Sequence, residues 1–269
     1  MSKLLSFFKI LFFFSICSCG NNNDTEENTL VPNPVTTPDI LAGERVIDQF
    51  DGSKELLATI NNEEKLPDVT KTTGRYRASL TNNTDNITLH YNEFQGRLDA
   101  LLLTFPFEFI ARNIGIGTIE DSQTAPASSG SSYIFSGVQV HVENLAEANS
   151  SHVVVGHRGG TGFTIEGKNT VDGNSSVNDI GEGTVPSGRA DIRIVGSSDR
   201  QITVYWQTPS VNTTAGEDSW TLYNGTGSLP GNAPSYGESV YVGLITYAFY
   251  EDSLPFVGTA DSIEIIQGS

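Results

Sequence analysis

The stretch GVQVHVENLAEANSSHVVVGHRGG, residues 137–160, carries three of the chain's four histidines, His141, His152 and His157. Imidazole is a common metal ligand and a common general base near neutral pH. The stretch therefore reads as a metal site, a catalytic site, or two strands that carry imidazoles. Strand parity separates these readings, because successive side chains of a strand point to opposite faces. Val138, Val140 and Val142 share one face, which suits a core, while Gln139, His141 and Glu143 share the other. His152 and Val154 fall on one side of HVVVGHR, and Val153, Val155 and His157 on the other. A zinc site needs His, Cys or carboxylate groups converging at about 2.0–2.3 Å from the ion. Split parity and the lack of a His-Glu-x-x-His motif argue against one, and His157 with Arg158 is expected in a turn among Gly156, Gly159 and Gly160.

Two further segments have the same kind of polar face. In RADIRIVG, Arg189, Asp191 and Arg193 oppose Ala190, Ile192 and Ile194; in QITVYWQ, Thr203 and Tyr205 oppose Ile202, Val204 and Trp206. If these strands share a sheet with 137–144, Gln139, His141, Glu143, Arg189 and Tyr205 form one surface of amide, imidazole, carboxylate, guanidinium and phenol. Such groups both donate and accept, and an aromatic ring covers the apolar side of a pyranose, so the surface suits saccharide hydroxyls. The competing reading is a polar face that is merely wet. Trp206 has core parity, whereas Tyr205 and Tyr223 are the expected stacking rings. The segment NTVDGNSSVNDIGEG, 169–183, reads as a loop in which Asp172, Asn174, Asp179 and Glu182 offer oxygen ligands to calcium, without the spacing of an EF-hand.

The elements that must position these groups are short. Alternating runs rich in Val, Ile, Thr, Tyr and Phe recur at 74–81, 86–92, 105–112, 135–144, 152–158, 189–196, 201–207, 219–225, 239–249 and 261–266, broken by Gly, Asn, Asp, Ser and Pro. Only GSKELLATI, 52–60, has helical character. The pattern predicts an all-β antiparallel sandwich or jelly roll over 44–269, as one domain.

The amino terminus has a separate logic. Lys3 and Lys9 precede an apolar run too short to span a bilayer, and the run ends at Ile16-Cys17-Ser18-Cys19, which resembles a bacterial lipobox. This implies a lipoprotein signal peptide at 1–18, a lipidated Cys19 and a mature chain without a disulfide. Residues 19–43 then form a polar, proline-containing tether, whose Asn/Asp/Glu-rich start resembles surface-export signals of Bacteroidetes lipoproteins. The expected place is the cell envelope, at the outer membrane and surface-exposed, held by the lipid. With 32 acidic against 15 basic residues in 269, a net charge of −17 and no basic cluster, nucleic acid is excluded as a partner.

FEFIARN, FSGVQVHVEN, VVVGHRGG, RADIRIVG, ITVYWQ, SWTLYNG, VYVGLITYAF and the closing DSIEII together resemble the concanavalin A-like lectin/glucanase superfamily, over roughly residues 105–267. The resemblance implies a jelly roll that binds a poly- or oligosaccharide, without catalysis and without a cofactor. The Glu-x-Asp-x-x-Glu strand of that superfamily's retaining glucanases is missing. Gln139-Val140-His141 resembles the Gln-Ile/Val-His motif of jelly-roll alginate lyases, with Arg75-Tyr-Arg77 upstream. Any enzymatic activity is therefore expected to be that of a polysaccharide lyase on a uronate polymer, with His141, Gln139 and Tyr205 in catalysis, rather than a glycoside hydrolase. A structural or adhesive surface protein with no sugar ligand is the third reading.

Overall fold

The computed structural model describes residues 40–80, 97–117, 133–158, 162–180, 185, 187–209, 218–249 and 256–268. The expected signal peptide, Cys19 and most of the expected tether lie outside the described residues, as does the run expected at 86–92. Residues Val35–Ser269 form one compact unit. Its described strands are, in chain order, β1 (Arg45–Asp48), β2 (Ala58–Asn61), β3 (Val69–Thr70), β4 (Tyr76–Leu80), β5 (Arg97–Thr104), β6 (Phe107–Gly117), β7 (Tyr133–Val142), β8 (Ser150–Arg158), β9 (Phe163–Val171), β10 (Asn174–Asp179), β11 (Arg189–Gly196), β12 (Ile202–Gln207), β13 (Thr221–Leu222), β14 (Ser239–Phe249), β15 (Phe256–Ala260) and β16 (Ser262–Gln267).

They form two antiparallel sheets. The front sheet has seven strands in the order β10-β9-β8-β7-β14-β5-β2. The back sheet has nine, β13-β12-β11-β6-β15-β4-β3, with β16 also on β6 and β1 on β16. The even-numbered residues of β7 and β14, Val138, Val140, Val142, Val240, Val242 and Leu244, turn inward. They meet Phe107, Phe109, Ala111, Ala190, Ile192, Ile194, Ile263 and Ile265 from the back sheet. This is the strand alternation expected of a sandwich, with each inner face supplying half of a dry core. No helix among the described residues is long and apolar enough to cross a membrane.

One polar hub interrupts that core. Asp99 on β5 is fully buried and accepts bonds from Tyr76 (2.8 Å), Arg97 Nε (3.0 Å), Thr59 (2.8 Å) and Lys71 (3.3 Å). Burial opposes its charge, but Lys71 and Arg97 outweigh burial and hold the carboxyl below its ordinary range. Tyr76 belongs to the back sheet, so the hub ties the two layers together through charge-assisted bonds.

Several expected elements differ. Residues 52–60 are not helical; β2 begins at Ala58, and the described helix is the single 3₁₀ turn Glu63–Lys65. His157 and Arg158 continue β8 opposite Ile134 and Tyr133 instead of forming a turn, because ladder bonds to β7 extend that far. Only Thr221–Leu222 of the 219–225 run pairs as a strand. The loop expected at 169–183 is, over 169–179, the hairpin of β9 and β10, closed by Asp172 and Gly173 at φ 49° and 77°. Positive φ at both positions is the type I′ geometry whose twist matches paired strands, and Asp-Gly is a preferred sequence for it. Glu182 lies outside the described residues. Among the described residues no three His, Cys, Asp or Glu groups are gathered to hold a metal.

Candidate functional site

Parity places the predicted side chains correctly relative to the core but cannot say which sheet they join. Gln139 and His141 lie on the outer face of the front sheet, whereas Arg189 and Tyr205, on β11 and β12, lie on the outer face of the back sheet. The core separates the two pairs, so the five residues do not form one surface. Glu143 falls one residue beyond β7 and is exposed.

The front face is built in rows set by strand register. Thr170, Ser150, His141 and Tyr241 stand side by side on β9, β8, β7 and β14. Lys168, His152, Gln139 and Gly243 form the next row. Asp179, Glu166, Val154, Gly137 and Ile245 form the third. The outer face of a sandwich is commonly solvated, yet Gln139 and His141 are 1% exposed, His152 2%, and Glu166 and Lys168 3% each. The expectation of a merely wet face does not describe these side chains. A small apolar cluster of Leu98, Ala100, Phe135, Val154, Ile245 and Tyr247 lies beside them.

Burial decides their chemistry. His141 Nδ1 is 2.7 Å from the carbonyl oxygen of Val142. That contact assigns the proton to Nδ1 and makes Nε2 the acceptor nitrogen. Desolvation holds His141 below the ordinary imidazole pKa, against the opposing effects of the Val142 carbonyl and Glu147. His152 is pushed well below it by burial and then by the charge on Lys168. Both rings are neutral at pH 7. The Tyr247 hydroxyl is 3.4 Å from His152 Nε2, and no side chain at Gly137 stands between them on β7. A Cβ at Gly137 would come 2.2 Å from the carbonyl oxygen of Val153, so the strands approach too closely for any other residue. Lys168 Nζ sits 5.4 Å from the Tyr247 ring centroid and 3.9 Å from Glu166 Oε1. Asp179 accepts a 2.5 Å bond from the Thr164 hydroxyl. Gln139 stands beside His152 and two residues before His141. Its side-chain carbonyl Oε1 is buried and has no hydrogen-bond partner among the described residues. Buried acceptors are usually satisfied, and Ser79, Asn178, Arg193 and Tyr236 carry buried atoms in the same condition, but Gln139 is the one of these on the outer face of the front sheet, where its carbonyl is available to a donor.

The back face is an ion network centred on Arg112, although the Arg193 Nε within it is buried without a hydrogen-bond partner among the described residues. Arg112 binds Glu264 Oε1 (2.8 Å), Asp191 Oδ2 (3.3 Å) and both oxygens of Asp218 (2.9 and 3.0 Å). Burial works against its charge, but Asp218 and Glu264 outweigh that and hold it above its ordinary value. Gln207 donates to Asp191 and Asp218 at 2.9 Å each. Tyr205, expected to be a stacking ring, is covered by Arg193 at 5.3 Å, and Arg193 also lies 5.9 Å from Trp220. Arg189 is buried against Thr259 (2.7 Å) and the Asn113 carbonyl (3.2 Å). Desolvation, with Arg75 nearby, pushes Arg189 down to about 10. Tyr223, the other expected stacking ring, is a core residue whose hydroxyl donates to the carbonyls of Asn178 (2.9 Å) and Ile165 (3.2 Å).

Sequence reasoning missed Tyr241, Tyr247, Glu166 and Lys168. For the tyrosines the signal was present: in SVYVGLITYAF they oppose Val240, Val242 and Leu244. In FTIEGKNTV the inward set is Ile165, Gly167 and Asn169, too weakly apolar to announce a strand.

No family model and no curated protein matches the chain. Solved structures match in fold. A GH43 protein of Bacillus licheniformis has a TM-score of 0.50 at 13% identity, covering 82% of this chain and 39% of that one. A xylan β-1,4-xylosidase of Bacillus halodurans has 0.51 at 12%, covering 86% and 41%. A winged bean acidic lectin complexed with methyl-α-D-galactose has 0.50 at 14%, covering 82% and 97%. This chain thus spans about two fifths of the length of the two Bacillus proteins. The fold is a concanavalin A-like jelly roll. The expectation of a lyase rather than a glycoside hydrolase is overturned, since the similar structures named as enzymes are glycoside hydrolases. The proposed grouping of Tyr205 with His141 and Gln139 in catalysis also fails, because Tyr205 is on the opposite sheet.

Proposed function

We propose that this chain is a lipid-anchored cell-envelope protein whose jelly roll binds a poly- or oligosaccharide on the outer face of its front sheet. The observation that carries the binding reading is the orphaned Gln139 carbonyl, set between the neutral imidazoles of His141 and His152. An amide and two imidazoles offer donors and acceptors to a vicinal diol, and the half-buried ring of Tyr241 beside His141 offers a stacking surface. Titration of the purified chain with neutral oligosaccharides, with and without EDTA, tests the reading and any calcium requirement together. Saturable binding that weakens in His141→Ala is expected; no heat with any sugar refutes it.

Hydrolysis of the bound glycan is a second reading. Glu166 and Asp179 stand directly opposite on β9 and β10. Cross-strand partners have Cβ atoms about 4.5–5.5 Å apart, which is compatible with the carboxyl separation of about 5–5.5 Å in a retaining glycosidase. Release of reducing ends that disappears in Glu166→Gln and Asp179→Asn would establish it. The proposed anchor rests on Ile16-Cys17-Ser18-Cys19, whose lipidated Cys19 would hold the chain at the outer membrane. Cys19→Ala is expected to abolish fatty-acid labelling and leave an unprocessed precursor; normal labelling refutes the lipobox.

A further inference from the structure

The charges of the front face say what kind of saccharide it takes. Among the described side chains of that face the cation is Lys168, and it is held by Glu166 at 3.9 Å with both groups buried. The acids outnumber it, with Asp179 half-buried opposite Glu166 and Glu143 exposed at the end of β7. The described arginines point elsewhere. Arg97 is bound to Asp99 inside the core, and Arg112, Arg189 and Arg193 belong to the back sheet. The orphaned group is itself an acceptor, the Gln139 carbonyl, and can be satisfied only by an O–H or N–H donor.

From this charge balance, and resting on the saccharide reading above, we infer that the ligand is an uncharged, hydroxyl-bearing glycan and that the site rejects carboxylated ones. A uronate carboxylate brings acceptors where an acceptor already lacks a donor. It also brings negative charge beside Glu166 and Asp179, and the cation among the described side chains of that face, Lys168, is already engaged by Glu166. A ligand that leaves such buried groups unpaired is discriminated against by large factors, so the rejection is a property of the site and not only of the chain's net charge. A neutral sugar hydroxyl donates to Gln139 and accepts nothing that Glu166 must give up.

The test is calorimetric titration of the full chain, purified in non-ionic detergent, with a panel of neutral hexasaccharides (xylo-, manno-, cello- and laminari-) and with oligogalacturonate and oligomannuronate of equal length. At least one neutral sugar is expected to bind, with each uronate at least tenfold weaker than the best neutral one. That best Kd should change less than twofold between 0.05 and 0.5 M salt, since no charge pair is made on binding. Glu166→Gln releases the Lys168 ammonium and is expected to narrow the gap between neutral sugars and uronates at least fivefold. Should that variant fail to fold, Asp179→Asn, at a half-buried position, is expected to narrow the gap in the same direction. A uronate that binds more tightly than every neutral sugar, or a steeply salt-dependent Kd, overturns the inference and leaves saccharide binding intact. Binding of neither class overturns saccharide binding itself.

Discussion

Replacing Gln139 by Met should stabilise the unliganded protein while weakening its binding. Met has nearly the same length and volume as Gln but carries no amide. A buried polar group without a partner costs about 1–3 kcal/mol in lost hydration, whereas an apolar group of the same shape incurs no such cost. Gln139 is 1% exposed and its carbonyl is orphaned, so most of that penalty is present in the native state. Taking about 1 kcal/mol as the net gain, the melting temperature should rise by roughly 2–4 °C for a body of this size. Saccharide affinity should fall about five- to tenfold, the equivalent of one hydrogen bond of about 1–1.5 kcal/mol. The neighbouring Val140 provides the contrast. It is equally buried but faces the core, and Val140→Ala removes about two methylene equivalents at about 0.8 kcal/mol each, plus a cavity term. Its melting temperature should drop by at least roughly 3 °C. Differential scanning calorimetry of the three proteins, with titration of the best ligand, reads both quantities. A Gln139→Met protein that melts more than about 3 °C below the parent would show that the carbonyl is satisfied without ligand, and the argument for the site would collapse.

Asp99→Asn should cost about 3–5 kcal/mol by leaving the buried Arg97 uncompensated and the part-buried Lys71 without its carboxylate, and a loss below about 1 kcal/mol in chemical denaturation would refute the hub's role. Stability should fall with acidification in two windows. His141 and His152 are held below their unfolded value, so the unfolded chain takes up protons first as the pH drops below about 6.5. Each contributes a slope of up to about 1.4 kcal/mol per pH unit until its folded pKa is reached. Asp99 and Asp218, also held low, add a second loss below about pH 4. His152→Phe should flatten the first window, and an unchanged slope between pH 6.5 and 5 would count against a buried neutral imidazole. Tyr241→Ala should weaken glycan binding roughly tenfold with little change in melting temperature because the ring is partly exposed, and a large thermal loss without a binding loss would reassign it to packing.

The alternation of VQVHV, ADIRI and TVYW was enough to assign inner and outer faces, because the inward residues are all apolar. The same alternation could not say that β7 pairs with β8 and β14 while β11 pairs with β6 and β12. That choice depends on long-range register, and it separated Gln139 and His141 from Arg189 and Tyr205. Tyr223 deceived for another reason. It lies one residue beyond β13, which is only two residues long, so parity counted through that strand had no ladder to enforce it. Glu166 and Lys168 were hidden by Gly167 and Asn169: Tyr223 and Pro230 pack over Gly167, and the Asn169 side-chain amide donates to the Leu229 carbonyl, so neither position is marked by an aliphatic side chain.

The tight turn at Asp172 and Gly173 constrains how this surface can change over generations. It fixes β10 against β9 so that Ser175, Val177 and Asp179 share the front face with Thr170, Lys168 and Glu166. Point substitution can retune any of these positions independently. Insertion or loss of one residue at the turn would instead invert β10, turning Asn174, Ser176 and Asn178 toward the front face and driving Asp179 toward the core. Descendants of this chain can therefore change ligand by editing letters within the hairpin, but not by changing its length, and the tolerated indels should gather in connections that set no register.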